Sequence, residues 1–201
     1  AQAAGLGPIK VNMVVKRGTN DQEILPMAHY FKGTGIALRF IEYMDVGATN
    51  GWRMNEVMPS ADVLKMLQSE FSLMPLAPSQ IGETAERWGY LNAQGEHEPH
   101  LGEVGFISSV TQAFCSDCNR ARLTTEGQLY LCLFATQGYD LKSLVRENQD
   151  PNALTQAIAA IWSQRADRYS ELRQAEKDSS NATADQANAT RRKVEMSYIG
   201  G

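Results

Sequence analysis

Cysteine is scarce in this sequence of 201 residues, and the three that occur lie close together at Cys115, Cys118 and Cys132. An odd number of clustered cysteines is a poor framework for disulfides. The better interpretation is a metal site in a chain that works in a reducing compartment, which we expect to be the cytoplasm.

Long apolar segments and a strong excess of one charge are lacking as well. No stretch approaches the roughly twenty apolar residues of a membrane span. Residues 1–8 show neither the basic start nor the apolar core of a signal peptide. The 19 basic and 23 acidic residues give a net charge of -4. We therefore expect neither a membrane nor a nucleic acid as a partner, and any anion site must be a local feature.

Hydrophobic patterning predicts an α/β start followed by a region of shorter elements. A strand, a helix and a second strand at this spacing form a βαβ unit, so the two strands should be parallel. The predicted elements are a strand at 9–15, a helix from Asn20 or Asp21 to Lys32, a strand at 37–44, a helix at 61–71 capped by Ser60, strands at 87–92, 104–110, 120–124 and 129–134, and helices at 141–147 and 152–164. The stretch 177–190 has almost nothing to bury and is predicted to be a linker.

The cysteine spacing, C-x2-C-x13-C, favours three thiolates that converge. Cys115 and Cys118 can bind one centre from a single turn, and the residues that lead to Cys132 are typical of a hairpin with its turn at Glu126 and Gly127. The returning strand would bring Cys132 beside the first two cysteines. Because soft thiolates suit iron–sulfur clusters, three of them on a cubane would leave one iron free to bind substrate.

Three other interpretations of the cysteines stay open. His97 or His100 could complete a tetrahedral Cys3His zinc site, although both lie in a loop with Gly and Pro and are expected to be exposed to solvent. Cys115 and Cys118 could form a redox dithiol, which would leave Cys132 without a role. Finally, all three could be buried structural cysteines.

Four charged side chains on predicted strands are candidates for an anion or ligand site. Arg120 and Arg122 are two residues apart, so on a strand they point to the same face, next to Cys118. Two guanidinium groups there could clamp a triphosphate, and the sequence has no G-x-x-x-x-G-K-[ST] loop for that purpose. Arg39 and Glu42 lie on an otherwise apolar strand, where charges are costly unless they face a cavity or a partner. A buried structural ion pair is the alternative for these two residues.

Several stretches together resemble one known family. They are the run FCSDCNRARLTTEGQLYLCLF at 114–134, RFIEYMDVG at 39–47, NGW at 50–52 and the terminal SYIGG at 197–201. The combination resembles the GTP 3',8-cyclases, also called molybdenum-cofactor biosynthesis protein A, which are radical S-adenosylmethionine enzymes. The resemblance extends over essentially the whole chain.

The resemblance implies a fold and a division of the chain. The family fold is a partial (β/α)6 TIM-like barrel whose open side is covered by an α+β iron–sulfur domain, and this chain would hold only the last strands of the barrel. Residues 1–46 would supply those strands, 47–175 the [4Fe–4S] and GTP-binding domain, and 176–201 a flexible linker with a Gly-Gly tail. A homodimer is also expected.

Positions of several kinds match functional positions of the family. The family has a C-terminal [4Fe–4S] cluster whose open iron binds the purine of GTP. The cysteine ligands of that cluster match Cys115, Cys118 and Cys132. The residues that hold the phosphates of GTP match Lys10, Arg120 and Arg122. Positions near the S-adenosylmethionine site match Arg39 and Met44. The C-terminal double glycine that supports catalysis matches Gly200 and Gly201.

The family's other cluster motif, C-x3-C-x2-C, is missing, and the sequence has no further cysteine that could replace it. In the family that motif holds a second [4Fe–4S] cluster, which cleaves S-adenosylmethionine. The resulting radical starts the conversion of GTP to (8S)-3',8-cyclo-7,8-dihydroguanosine 5'-triphosphate in molybdopterin synthesis. We therefore expect this chain to bind GTP but to be inactive as a lyase without an N-terminal radical-SAM portion as its partner. The alternative function is a non-enzymatic zinc or iron–sulfur module for interaction or electron transfer.

Overall fold

The computed structural model describes residues 1–46, 51–116, 118–147, 150–172, 194–195 and 198. The contacts divide the chain into two compact units. The first unit contains Ala1–Met44 and Trp52–Phe114, and the second contains Asp45–Gly51 and Cys115–Gly201. The predicted linker at 177–190 and the double glycine Gly200 and Gly201 lie outside the described residues.

The first unit is built on a mixed five-stranded sheet. In chain order it contains β1 (Lys10–Val15), α1 (Ile24–Phe31), β2 (Ala37–Glu42), α2 (Ser60–Gln68), β3 (Leu73–Leu76), β4 (Glu86–Tyr90) and β5 (Glu103–Ile107). The spatial order of the strands is β1-β2-β5-β4-β3. The strands β1, β2 and β5 are parallel, whereas β4 and β3 continue the sheet in antiparallel fashion. The predicted parallel βαβ unit is thus confirmed.

The core of the first unit forms where alternate residues of β1 and β2 meet the two helices. Met13 and Val15 on β1 and Leu38 and Phe40 on β2 are buried, as the two-residue period of a strand requires. Burying a large apolar side chain contributes about 1.5–3 kcal/mol. The helices, the later strands and the segments on either side of α2 add the other buried members of this cluster: Ile24, Ala28, Met58, Val63, Leu67, Phe71, Tyr90, Val104 and Phe106.

The start of α2 is held by Glu42 and not by a Ser60 cap. Ser60 is the first helical residue, and its N–H donates to Glu42 Oε1 at 2.9 Å. The carboxylate of Glu42, a residue only 2% exposed, also accepts from the N–H groups of Val110 and Thr111, both at 2.8 Å, and from the Thr111 hydroxyl at 2.5 Å. The predicted Ser60 cap is therefore wrong. The buried charge of Glu42 is satisfied by hydrogen bonds from two separate segments.

We expect Glu42→Gln to lower the free energy of unfolding by about 2–3 kcal/mol, because an amide has only one acceptor oxygen and turns its NH2 group against backbone donors. Glu96→Gln is the matched control, since Glu96 is exposed in a turn, and it should change stability by less than about 0.5 kcal/mol. Urea unfolding of both variants measures the difference. Equal stabilities would show that the hydrogen bonds of Glu42 contribute little.

The first helical segment begins at Asp21, as predicted, but its first turn is 3-10 and it lacks a side-chain cap. The Asn20 side chain does not cap α1, because its oxygen accepts from the Lys16 N–H and its amide donates to the Val14 carbonyl, both at 2.8 Å. Asn20 therefore closes the turn that follows β1. A short 3-10 turn at Asp21–Glu23 comes next, and α1 begins only at Ile24.

Strand β3 was not predicted because Pro75 lies inside it. Proline cannot donate a hydrogen bond within a sheet, so it is confined to edge strands. In the described sheet β3 occupies an outer position, where one side of the strand needs no partner. The proline argued against a strand in the sequence, but the outer position of β3 in the strand order makes it tolerable.

The second unit contains a small antiparallel sheet and two helices. Its elements are β6 (Arg122–Leu123), β7 (Gln128–Tyr130), β8 (Tyr139–Asp140), α3 (Leu141–Glu147) and α4 (Pro151–Ser163), with the strands in the order β6-β7-β8. Its apolar cluster comprises Leu129, Leu131 and Leu141, with Leu144 and Ile161 packed against it. None of the helices in the described part of the chain has the length and apolar character that crossing a membrane requires.

The predicted hairpin that leads to Cys132 is confirmed. Arg122 pairs with Tyr130 across β6 and β7, and the Thr124 N–H donates to the Gln128 carbonyl at 3.0 Å. Gly127 has a φ of 81°, and a Cβ added there would lie 2.7 Å from the Lys142 Cβ. This turn therefore requires glycine.

The second unit departs from prediction in its strands and in the face of one helix. Its strands are shorter than predicted, and β8 was not predicted at all because two residues give no readable alternation. Helix α4 begins at Pro151, behind an Asp150 cap that accepts from the Asn152 N–H at 2.9 Å. Its predicted apolar face is only partly covered, since Ile158 is 36% and Trp162 37% exposed.

The two compact units do not coincide with the predicted division at 46/47 and 175/176. Residues 52–114 join residues 1–44 because β3, β4 and β5 extend the sheet that β1 and β2 begin. The predicted boundaries separate the barrel, the cluster domain and the tail of the family fold. The two compact units do not test them, so this division stays a prediction.

Candidate functional site

The three cysteines lie in the second unit, and all are free and half-buried. Cys115 and Cys118 share one turn, in which the Cys118 N–H donates to the Cys115 carbonyl at 3.3 Å. Burial raises the pKa of the Cys132 thiol, and the charges of Asp167, Cys115 and Cys118 raise it further. The structure therefore brings the three predicted ligands within electrostatic range of one another.

Two of the sulfur atoms accept hydrogen bonds. Arg120 Nε donates to Cys118 Sγ at 3.3 Å, and the Phe134 N–H donates to Cys132 Sγ at 3.4 Å. Burial raises the pKa of the Cys118 thiol, but hydrogen bonds from Arg165 and Arg120 outweigh it and lower that pKa to about 7. Because the thiolate is the form that binds metals, this environment favours ligation by Cys118.

Arg120 and Arg122 lie beside these thiols. Arg120 is exposed and precedes β6, so its closeness to Arg122 does not come from a shared strand face as predicted. Burial lowers the pKa of Arg122, and the positive charge of Arg120 lowers it further, whereas Cys118 and Cys132 act in the opposite direction. Arg122 therefore lies within electrostatic range of Arg120 and of two thiols, so two permanent cations are concentrated beside the cysteines.

A segment that sequence reasoning missed borders the cysteines. We call it the post-helix segment, Arg165–Glu171, because it follows α4. Arg165 Nη1 donates to the Cys118 carbonyl oxygen, Glu171 accepts from the Ser116 N–H at 3.1 Å, and the Tyr169 ring stacks on Phe134 with 4.4 Å between ring centroids. The only signal in the sequence is a run of charged residues after a helix, and nothing in the spacing links that run to the cysteines.

A cavity of about 600 Å³ opens beside the first two cysteines. Its volume is within the range of small-molecule sites in proteins. The walls include two candidate ligands and several charged or aromatic side chains: Cys115, Cys118, Trp162, Arg165, Arg168 and Glu171.

Thiolates are the kind of ligand that iron–sulfur clusters use, but the predicted convergence of the three cysteines on one metal ion is not observed among the described residues. Among the described residues, no three His, Cys, Asp or Glu side chains are arranged so that they could hold a metal ion. A cubane distributes its thiolate ligands over separate irons, so its ligands need not converge on one point. Three free cysteines, with no fourth in the sequence, match a cubane that keeps one iron without a protein ligand.

The two candidate zinc histidines lie in the first unit. His100 is exposed, as predicted, and its Nδ1 is 3.2 Å from a carboxylate oxygen of Glu98. His97 is half-buried, so its predicted exposure is wrong. Its Nδ1 lies 3.0 Å from the Tyr90 carbonyl oxygen, and its ring packs where a Cβ on Gly89 would stand, 2.4 Å away. The missing side chain of Gly89 makes room for this ring.

Lys10, Arg39 and Met44 also lie in the first unit. Lys10 is exposed at the start of β1, and its face of the sheet continues through Asn12, which is paired with Arg39 across β1 and β2. Met44 is half-buried just after β2. A cavity of about 400 Å³ on this unit is lined by Lys10 and His97 together with three residues that the sequence patterns did not indicate: Glu83, Arg87 and Glu103.

Arg39 forms a well-shielded ion pair, with Nη2 3.1 Å from Glu83 Oε1, while the Glu83 side chain is only 4% exposed. Burial raises the pKa of Glu83, but hydrogen bonds from Ser79 and the charges of Arg87 and Arg39 outweigh it and hold that pKa below its ordinary value. The structural ion pair considered for Arg39 therefore exists, but Glu83 is its partner instead of Glu42.

The chain belongs to the family described as Molybdenum Cofactor Synthesis C, whose profile matches residues 36–171. It is 45% identical over 215 residues to the GTP 3',8-cyclase of Acidothermus cellulolyticus, covering 100% of this chain and 58% of that protein. The enzyme of the same name from Xanthomonas campestris pv. campestris strain B100 is 43% identical over 203 residues, covering 100% and 53%. That from Staphylococcus saprophyticus is 41% identical over 194 residues, covering 96% and 53%.

These comparisons confirm the resemblance that the motifs indicated. The chain spans little more than half the length of the relatives it matches, and it corresponds to their C-terminal part.

Proposed function

We propose that this chain is the part of a GTP 3',8-cyclase that binds that enzyme's second [4Fe–4S] cluster and GTP. Similarity to relatives of that name along its whole length supports the proposal. The observation that carries it is the position of the two arginines beside free cysteines, with Arg120 Nε 3.3 Å from Cys118 Sγ. An arginine pair next to an open metal centre can hold an anion that the metal also contacts.

Cys115, Cys118 and Cys132 would hold the cluster as thiolates. When bound, the cluster supplies an iron without a protein ligand, to which the purine of GTP can attach. The hydrogen bonds to Cys118 and Cys132 disperse thiolate charge, as donors around Fe–S ligands commonly do.

Arg120 and Arg122 would hold the triphosphate. A guanidinium group is always charged and donates in a fork that matches two phosphate oxygens. Because Arg122 is half-buried, water screens its charge less than that of a fully exposed arginine. The contribution of both residues is to orient GTP, and positioning of this kind can be worth several kcal/mol.

Residues outside the second unit's cysteine site would also take part. Lys10 is proposed as a ligand of the GTP phosphates, Arg39 and Met44 as residues of the S-adenosylmethionine site, and Gly200 and Gly201 as the catalytic tail. The strands β1 and β2 would be the last strands of a partial (β/α)6 barrel, which their parallel pairing with an intervening helix supports. The other partners would be an N-terminal radical-SAM portion with its own cluster and a second copy of the chain.

A non-enzymatic zinc or iron–sulfur module is the second candidate. The three free cysteines favour it, because thiolates can hold zinc or an iron–sulfur cluster without any substrate. Binding of GTP separates the two candidates, since a module for interaction or electron transfer has no need for a triphosphate site.

We expect the chain, after anaerobic reconstitution with iron and sulfide, to bind GTP but to release no 5'-deoxyadenosine when S-adenosylmethionine and dithionite are added. Calorimetry measures binding, with ATP as the competing nucleotide, and chromatography measures 5'-deoxyadenosine. The Acidothermus cellulolyticus relative serves as the positive control for turnover. Binding of GTP no tighter than ATP would overturn the proposed substrate role. Catalytic amounts of 5'-deoxyadenosine would show that a radical source exists in this chain after all.

A further inference from the structure

The post-helix segment contacts both stretches that carry the cysteines, the Cys115–Cys118 turn and the stretch around Cys132. Arg165 donates to the Cys118 carbonyl oxygen. Glu171 accepts from the N–H of Ser116, the neighbour of Cys115, at 3.1 Å. The Tyr169 ring stacks on Phe134, whose own N–H donates to Cys132 Sγ. One short segment is therefore positioned to hold together turns that are far apart in sequence.

Arg165 is the member of this segment that reaches a candidate ligand directly. Its guanidinium also stacks over the Trp162 ring, 5.1 Å from the ring centroid, and its Nε lies 3.5 Å from Asp167 Oδ2. Its side chain is only 12% exposed. A guanidinium that is held on three sides and shielded from water can fix the atoms it contacts, because little of its freedom remains.

We propose that Arg165 is a positioning residue for the cysteine-bound cluster: it fixes the Cys115–Cys118 turn through the Cys118 carbonyl and keeps a positive charge beside the Cys118 thiolate. This inference rests on the proposed function, in which the three cysteines hold an iron–sulfur cluster. A residue that contacts a metal ligand without binding the metal orients that ligand. Losing such a contact typically costs 10–100-fold in metal affinity. A nearby positive charge also stabilises the reduced, more negative cluster and so raises its reduction potential.

The test compares three variants of the 201-residue chain with the unchanged protein after anaerobic reconstitution. Arg165→Gln removes both the charge and the planar set of guanidinium N–H donors, whereas Arg165→Lys keeps the charge. Arg146→Gln is the control, with the same change at an exposed arginine on α3. The readouts are the rate at which an iron chelator removes the cluster and the midpoint potential of the cluster. We expect Arg165→Gln to lose iron about tenfold faster and to have a lower potential. Arg165→Lys should lose iron faster than the unchanged protein but keep its potential, and Arg146→Gln should match the unchanged protein in both.

The outcomes separate this inference from the proposed function. An unchanged protein that takes up no cluster overturns the proposed function. A cluster in the unchanged protein, with Arg165→Gln and Arg146→Gln equal in iron loss and in potential, overturns only the role of Arg165. If Arg165→Gln takes up no iron, Arg165→Lys decides: faster iron loss at an unshifted potential supports the inference, and iron loss at the rate of Arg146→Gln overturns it.

Discussion

Cys118→Ala and Cys132→Ala are each expected to reduce the iron content of the anaerobically reconstituted chain from about four atoms to less than about one. A site with three thiolates has no spare ligand, and the sequence contains no fourth cysteine that could substitute. The loss should therefore be nearly complete for either variant. Iron analysis and the visible absorption of the cluster measure it.

Ser116→Ala is the matched control for the cysteine variants. Ser116 belongs to the same turn, and its contact with Glu171 uses the backbone N–H, which alanine keeps. Its iron content should stay at that of the unchanged protein. A Cys118→Ala or Cys132→Ala variant with the full iron content would mean that the changed cysteine is not a ligand.

The double variant Arg120→Ala/Arg122→Ala should weaken GTP binding by about a hundredfold or more. Each charge-assisted hydrogen bond to a phosphate is worth roughly 1.5–3 kcal/mol, and each 1.4 kcal/mol corresponds to about a factor of ten in affinity. Calorimetry on the reconstituted protein measures the dissociation constant, and Arg146→Ala provides a control at an exposed arginine elsewhere in the unit.

The iron content of the double variant must be measured together with its affinity, because Arg120 donates to Cys118 Sγ. We expect the cluster to remain, since both Cys118 and its contact with Arg165 are unchanged. Unchanged GTP affinity would identify the two arginines as ordinary surface residues. Loss of the cluster along with GTP binding would assign them to the support of the cysteines and not to the substrate.

Features set by short stretches of sequence could be predicted. The parallel pairing of β1 and β2 follows from strand, helix and strand at a fitting spacing, and the hairpin between β6 and β7 follows from the turn at Gly127. The contact between Arg120 and Cys118 could also be expected, because the two residues are neighbours at the start of this hairpin. A shared site for all three cysteines stays a prediction.

Features that depend on distant partners could not be predicted. The carboxylate of Glu42 holds groups 18, 68 and 69 residues away, and Arg165 donates to a carbonyl 47 residues before it. Residue preferences along the sequence predicted Ser60 as a helix cap and gave Arg165 no role. Such preferences do not include the tertiary contacts that decide both cases. The partial exposure of Ile158 and Trp162 on α4 is of the same kind, because helical periodicity identifies an apolar face but not how completely it is covered.

The metal bound by the unchanged chain tests the central claim most directly. The protein is reconstituted without oxygen in the presence of iron, sulfide and an equal amount of zinc, and its metals and visible spectrum are then measured. Three thiolates on a cubane predict about four irons per chain, a brown colour and almost no zinc. One zinc per chain in a colourless protein without iron would contradict the account.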